Sequence, residues 1–395
     1  MIALLLAAAT TAIWLYLLLA RGFFWLGKER DDNLLPGSTG TPDRLPAVIA
    51  IVPARDEAEV IARNIGSLLR QDYPGRLSVV LVDDQSADRT ADLARDAAKA
   101  AGATERLTVL QGSDPPAGWT GKLWAMDRGF LHVQMEPTPP EFVLFTDADI
   151  AYEANDAVER LARGALVRGT VLTSLMVKLR CESFAERVLV PAFIFFFAKL
   201  YPFAWVNNPR RRLAAAAGGC MLVRREALEA AGGLARIRGA LIDDCALAEL
   251  MQHQGPIWLG LTRRVASLRP YPEFSDIRRM VVRSAYAELR YSPLRLTGTL
   301  IGMGLTYLAP PLLAIFADGS AQLLGIAIWI AMALAFQPTL RFYRRSPLWG
   351  LALPLIAAIY TAFTVESALQ HRRGRGGAWK GRFQAGASAE RIADA

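Results

Sequence analysis

Residues 2–20, IALLLAAATTAIWLYLLLA, carry no charged side chain and are long enough to cross a bilayer as one helix rising ~1.5 Å per residue. A cleaved leader would start with basic residues and end at a small-residue cleavage site. The run is therefore read as an uncleaved anchor, residues 1–21. Arg21, Lys28 and Arg30 follow it, which by the positive-inside rule puts the next stretch in the cytoplasm. The C-terminal third is apolar again. Spans are expected near 296–317, 320–337 and 347–368, within a membrane region of 294–370 that precedes a basic tail, 371–395. Three full crossings after a cytoplasmic domain would leave that tail outside, against the same rule. Pro347, Pro354, Thr361, Thr364 and Glu366 mark the last run as re-entrant or interfacial, so the tail is expected to be cytoplasmic. Another apolar run, VLVPAFIFFFAKLYPFAWV at 188–206, precedes NNPRRR and reads as a segment lying in the membrane surface, with a core helix as the alternative.

Between these runs lies a polar middle, 45–290. With 395 residues, 53% of them hydrophobic, the chain has apolar sequence for both a soluble core and membrane helices. The net charge of +8 flanks apolar spans and matches no nucleic-acid module, so it reads as attraction to anionic lipid and an anionic substrate. Cys181, Cys220 and Cys245 have no CxxC spacing and an odd count, which fits a reducing compartment and argues against zinc.

AVIAIVP (47–53), LSVVLVDD (77–84), LTVLQG (107–112) and FVLFTDAD (142–149) are short, β-branched and nearly all apolar, as buried parallel strands are. EAEVIARNIGSLLR, DRTADLARDAAKAAG and GKLWAMDRGFLHVQ between them have helical spacing. This rhythm predicts an α/β domain with a doubly wound, mainly parallel sheet. Ligands of such sheets bind beyond the carboxyl ends of the strands. Arg55, Glu57, Asp83, Asp84, Asp147 and Asp149 would gather there.

Asp147 and Asp149, placed at one strand end, need a cation between them. Two such carboxylates can hold one Mg²⁺ or Mn²⁺, which brings a phosphate to complete its shell. A nucleotide diphosphate fits, with Asp83 and Asp84 accepting from base or ribose hydrogens and Lys122, at a helix start, donating near the phosphate. No GxGxxG or P-loop pattern is present.

VPARDE, VDDQSADRT, GWTGKLWA, TDAD, GGCMLVRREALEAAGG and LIDDCALAELM, in that order between these apolar runs, resemble the family 2 glycosyltransferases, most closely the hopanoid-associated branch. The resemblance implies a glycosyltransferase A-type fold with N- and C-terminal transmembrane helices. It implies a nucleotide-sugar donor, here expected to be a UDP-sugar, a divalent cation, and inversion at the sugar carbon. Residues 45–150 would form the nucleotide-binding half and 151–290 the acceptor half. By this resemblance Asp83 or Asp84 contacts the base, and Asp147 and Asp149 hold metal and diphosphate, with Asp149 the more direct ligand. Asp244, in the IDD at 242–244, becomes the candidate general base. Helix capping is the competing role for Asp243 and Asp244. Pro53, Arg55, Glu57 and Lys122 complete the donor set; Asp243, Arg279, Arg283, Gly218 and Gly219 are candidate diphosphate or acceptor contacts.

The Gln-x-x-Arg-Trp motif of many processive members is replaced here by DIRRMVVRSAY, which points to a single transfer and away from polymer synthesis. Trp119 and Trp124 could line the donor site or pack the core, and core is the expectation for Trp124. Trp379 and Arg382 near the tail could fold back to the site or anchor the interface.

The reading is thus an inverting, metal-dependent glycosyltransferase of the bacterial inner membrane, acting on a hopanoid or related lipid at the cytoplasmic face. Alternatives are a polyprenyl-phosphate acceptor, or a non-catalytic nucleotide-sugar-binding scaffold for lipid synthesis.

Overall fold

The computed structural model describes residues 1–35 and 45–374 in full, and the backbone alone at 378–379 and 382–383. The side chains of Trp379 and Arg382, and most of the basic tail, lie outside the described residues. The chain divides into two compact units. One comprises Glu29–Arg180 and Trp205–Arg269; the other comprises Met1–Lys28, Cys181–Ala204 and the chain from Pro270 onward. Of the stretch 45–290, residues 181–204 and 270–290 therefore group with the apolar helices.

The first unit is built on an eight-stranded sheet: β1 (Val48–Ala54), β2 (Leu77–Asp83), β3 (Leu107–Gln111), β4 (Phe142–Phe145), β5 (Ile150–Tyr152), β6 (Leu172–Lys178), β7 (Met221–Arg224) and β8 (Ile257–Ser267). Their spatial order is β3-β2-β1-β4-β7-β6-β8-β5. The first four are parallel, β7 runs antiparallel to both neighbours, and β5 pairs antiparallel with β8. All residues of β1 and β4 are buried, which is why their sequences are continuously apolar. Helices Ile61–Leu69 and Thr90–Ala100 connect β1 to β2 and β2 to β3. Helix Gly121–Gln134 then carries the chain across to the far side of β1, where β4 pairs in register Ile51↔Phe145. The strand order reverses there, and in open α/β sheets such a reversal opens a crevice at the strands' carboxyl ends.

The expected strands and helices are present, with two differences. Strand β3 is an edge strand with none of its residues buried, where the sequence predicts a buried strand, because its outer side has no neighbour in the sheet. Strand β4 ends at Phe145, so Asp147 and Asp149 stand in a turn between β4 and β5 rather than on a strand. Thr146 Oγ1 donates to Gly219 O at 2.8 Å, and the Ile150 N–H closes the turn onto Asp147 O at 3.2 Å. The alternation that would face both carboxylates the same way does not apply in a turn.

The second unit supplies the helices long and apolar enough to cross a membrane, together with the segment at 184–206. Five such stretches occur among the described residues: Ile2–Ala20, Phe184–Val206, Pro293–Phe316, Gly319–Phe342 and Leu353–Arg372. The second begins at Phe184, ahead of its most apolar part, because Ser183 and Glu186 form a capping box. Half of its window is buried within the structure. A π-turn, Gly304–Leu308, interrupts Pro293–Phe316. There the Thr10 hydroxyl donates to Leu305 O at 2.8 Å and the Trp14 indole to Thr306 O at 2.7 Å. Carbonyls freed from helical bonding in an apolar setting need such donors.

The polar residues of the last stretch have partners too. Thr361 and Thr364 donate to carbonyls four residues back, and Glu366 takes a two-pronged hydrogen bond from Arg278. Ser367 bonds the backbone of Val282 and Tyr286. These residues fasten the amphipathic helix Phe274–Val282 to Leu353–Arg372.

Candidate active site

The loops after β1 and β2 are laced together. Asp84 N–H donates to Ala54 O at 2.7 Å, and Arg55 Nη1 donates to Asp84 O at 3.0 Å while lying 3.5 Å from the Asp84 carboxylate. Ser86 N–H donates to Asp83 Oδ1 at 3.0 Å, Ala87 N–H to Asp56 Oδ1 at 2.7 Å, and Ala58 N–H to Asp88 Oδ2 at 3.0 Å. The Glu57 N–H donates to Thr90 Oγ1 at 2.9 Å, tying the loop to the next helix. Asp83 and Asp84 are almost fully buried, 6% and 1% exposed, at the end of β2. Pro53 sits in β1 opposite Val82.

Helix Gly121–Gln134 starts where Thr120 accepts from Leu123 N–H, and this places Lys122 in its first turn. Lys122 Nζ lies 2.8 Å from Asp147 Oδ1 and 2.9 Å from Asp243 Oδ2. Burial alone would depress this ammonium, but the charges of Asp147 and Asp243 outweigh it and raise its pKa. Asp147 is itself raised, chiefly by burial, with Lys122 opposing and the charges of Asp149 and Asp243 adding to the rise. Its side chain is 34% exposed, so solvent tempers that effect.

Asp149 is held by a different cation. Arg269, just past β8, donates from Nε to Asp149 Oδ2 at 2.8 Å and from Nη2 to both Glu57 oxygens at 2.9 Å. Asn64, fully buried on helix Ile61–Leu69, braces the intervening turn by donating to Asp147 O at 3.1 Å and Ile150 O at 2.7 Å. Sequence reasoning missed both residues. Asn64 left a signal, a polar residue within the apolar face of IARNIGSLL; Arg269 left none.

Asp243 and Asp244 open helix Asp243–Gln252. Asp244 Oδ2 accepts from Gly218 N–H at 3.0 Å and Oδ1 from Cys245 N–H at 2.8 Å. A Cβ on Gly218 would stand 3.4 Å from Lys122 Nζ and 3.5 Å from Asp244 Oδ2, in ordinary contact with both. Burial, joined by the Asp243 charge, pushes the Asp244 carboxyl up to about 6 against the pull of Lys122 and the two N–H donors. Gly219 adjoins, with its carbonyl held by Thr146.

Arg279 and Arg283 belong to the other compact unit, on helix Phe274–Val282 and its C-cap, where Arg279 pairs with Asp276. Trp119 and Trp124 meet edge to face at 5.2 Å, and Trp124 is half-buried rather than core.

The donor set fits a divalent cation by its chemistry. Asp147 and Asp149 offer hard oxygens, each now neutralised by a protein cation. Asp243 Oδ2, beside them, is buried and faces Lys122 off the line of a hydrogen bond, which leaves it acceptor capacity. Among the described residues no three acidic, histidine or cysteine side chains converge into an all-protein cage. Mg²⁺ and Mn²⁺ suit such a site, since one or two carboxylates plus substrate phosphates can complete their shell.

A sheet that reverses order beside β1, with carboxylates and a buried lysine at the reversal, defines a Rossmann-like glycosyltransferase fold of the A type. Among solved structures the chain is similar to the mannosyltransferase PcManGT from Pyrobaculum calidifontis in complex with GDP-Man and Mn²⁺, at 19% identity and a TM-score of 0.54 over 92% of this chain and 98% of that one. Residues 46–287 match the family described as Glycosyltransferase like family 2, and the chain belongs to that family. It is similar to the probable glycosyltransferase YdaM of Bacillus subtilis, 26% identical over 52% of this chain and 45% of the relative. It is also similar to the 4,4'-diaponeurosporenoate glycosyltransferase of Staphylococcus aureus, 31% identical over 31% of this chain and 29% of the relative. The match thus spans less than half the length of either relative.

Proposed function

We propose that this protein transfers one sugar from a nucleotide-diphosphate sugar to a lipid at the cytoplasmic face of a bacterial inner membrane, with inversion at the sugar carbon. The observation that carries the proposal is the convergence of Lys122, Asp147 and Asp243 around one ammonium, with Asp244 the next residue along. In this reading Asp83 and Asp84 receive the nucleoside. Asp147 and Asp149 would hold the divalent cation, which supplies charge to stabilise the departing diphosphate. Lys122 donates to the same oxygens.

Asp244 acts on the acceptor. With a pKa of about 6 it is mostly ionised at neutral pH, yet it is a stronger base than an ordinary carboxylate. It takes the proton from the acceptor hydroxyl as that oxygen attacks the anomeric carbon. The carbon–oxygen bond to the diphosphate breaks, its electron pair leaves with the diphosphate, and one displacement inverts the centre. The apolar helices and the Arg21, Lys28 and Arg30 cluster support a lipid acceptor met at the cytoplasmic face. A hopanoid alcohol is the first acceptor to test. A polyprenyl phosphate, already ionised, would need Asp244 less.

The test is transfer of labelled sugar from UDP- and GDP-sugars into extractable lipid by membranes holding wild type, Asp149→Ala or Asp244→Asn, with and without Mn²⁺. Metal-dependent product lost in both variants supports the reading and names the donor. Donor binding with no product under any acceptor favours the non-catalytic scaffold.

A further inference from the structure

A cavity of about 590 Å³ opens in the sheet unit, lined by residues 235–240 and Ala246. That volume is within the range of small-ligand sites, ~300–1,000 Å³. The short helical turn Leu234–Ile237 on its wall packs against both helices that carry the site, Gly121–Gln134 and Asp243–Gln252. Thr120, the cap of the Lys122 helix, donates its N–H to Arg238 O at 2.9 Å. Ala246 lies two residues beyond Asp244 on the same helix. The cavity is therefore tied, through that turn and Ala246, to the two helices that carry Lys122 and the candidate base.

Its lining is small except for Ile237 and two arginines. Ala235, Gly239, Ala240 and Ala246 leave room, while Arg236 and Arg238 bring positive charge on alternate residues of one loop. Arg238 Nε passes over Gly118, 3.6 Å from where a Cβ would stand. Arginines elsewhere in the site are committed, Arg55 to Asp84 and Arg269 to Asp149 and Glu57. Among the described residues neither Arg236 nor Arg238 has an acidic partner in an ion pair. Both arginines are exposed, so water serves them when the cavity is empty, but two neighbouring guanidinium forks suit an oxyanion, which each can bind through paired, charge-assisted hydrogen bonds.

We infer that this cavity receives an acidic acceptor headgroup, a phosphate or a carboxylate, gripped by Arg236 and Arg238. The inference rests on the transferase reading and narrows its acceptor to an anionic amphiphile. Donor phosphates have their own cation in Lys122, which does not line the cavity. An apolar chain attached to the headgroup gives the amphiphile its affinity for the membrane.

The test uses the full chain in a neutral detergent. Equilibrium binding of radiolabelled dodecyl phosphate, radiolabelled dodecanoate and, as a neutral control, dodecanol is measured in wild type, the double variant Arg236→Gln/Arg238→Gln, and Ala246→Phe, which fills the cavity. Binding of labelled UDP and GDP with Mn²⁺ in the same preparations reports both folding and the donor site. The expected result is saturable wild-type binding of one or both anionic probes and none of dodecanol, weakened about tenfold or more in both variants, with nucleotide affinity within about twofold. Preference for dodecyl phosphate or for dodecanoate identifies the oxyanion. Equal anionic binding in wild type and variants overturns the inference. So does a parallel fall in nucleotide affinity, which would assign the arginines to the donor. A wild type that binds nucleotide but no anionic probe overturns this inference alone; one that binds no nucleotide overturns the transferase reading and this inference with it.

Discussion

Arg269 Nε donates to Asp149 Oδ2 at 2.8 Å, so one of the two carboxylates proposed to hold a divalent cation is held by a guanidinium from just past the end of β8. Cation and guanidinium compete for the same oxygen. Removing the arginine as Arg269→Met should therefore tighten Mn²⁺ binding in the absence of nucleotide, by about threefold to tenfold, since a nearby like charge is removed and a ligand oxygen released. Mn²⁺ titration followed by electron paramagnetic resonance checks this. Unchanged or weaker Mn²⁺ affinity would show that Arg269 does not contend for the metal position. Glu57→Gln should act in the opposite direction, because Arg269 loses a carboxylate partner and its charge is then drawn more to Asp149.

Lys122 neutralises two acids at once. Lys122→Met would leave Asp147 and Asp243 facing each other without a cation, and half-buried uncompensated charge is costly. Because Lys122 is 20% exposed and Asp147 34%, the expected loss is about 1–3 kcal/mol, below that of a fully buried pair. Thermal unfolding should show this, and the loss should shrink when Asp147→Asn is added, since one of the stranded charges is then gone. Nucleotide-diphosphate affinity should fall in both variants.

As the proposed base, Asp244 should set the acid limb of the pH profile. Its folded-state pKa is raised to about 6, so the group is protonated and unable to accept a proton below that pH. kcat/KM for a hydroxyl acceptor should rise with pH through about 6 and flatten above it. Asp244→Asn should lose about 10²–10⁴ in rate and the limb with it. A profile in which wild type and Asp244→Asn keep the same acid limb would assign that limb to another group.

What was legible in the sequence was what local physics writes down. GKLWAMDRGFLHVQ formed its helix residue for residue because Thr120 caps it and its apolar face is regular. Strands β1, β2 and β3 were legible as apolar β-branched runs, and Asp83, Asp84, Arg55 and Glu57 gathered at their ends as that alignment requires. Strands β5 and β7, of three and four residues, are too short to show a period. The end of β4 was misplaced because the chain turns after Thr146, whose N–H still reaches Ile51 O at 3.2 Å, while the Thr146 and Asp147 side chains bond Gly219 and Lys122, partners that no local pattern names. Arg269 is 120 residues from Asp149 and 212 from Glu57, and its role exists only once β8 has been laid into the sheet.

Asn64 ties these levels together. Its Nδ2 satisfies the Asp147 and Ile150 carbonyls from inside the core, where no water can replace it. Asn64→Leu keeps the branching and heavy-atom number but strands the buried Ile150 carbonyl and leaves Asp147 O with the Ile150 N–H as its backbone donor, at a cost of about 1–3 kcal/mol. The turn that carries Asp147 and Asp149 loses its brace at the same time. Unfolding should begin at lower denaturant, and affinity for Mn²⁺ with nucleotide should drop about tenfold or more, whereas Asn64→Asp should disrupt both more severely by burying an acceptor against acceptors. Lower stability with unchanged metal and nucleotide affinity would mean that the turn keeps its shape without Asn64, and that the residue serves the core alone.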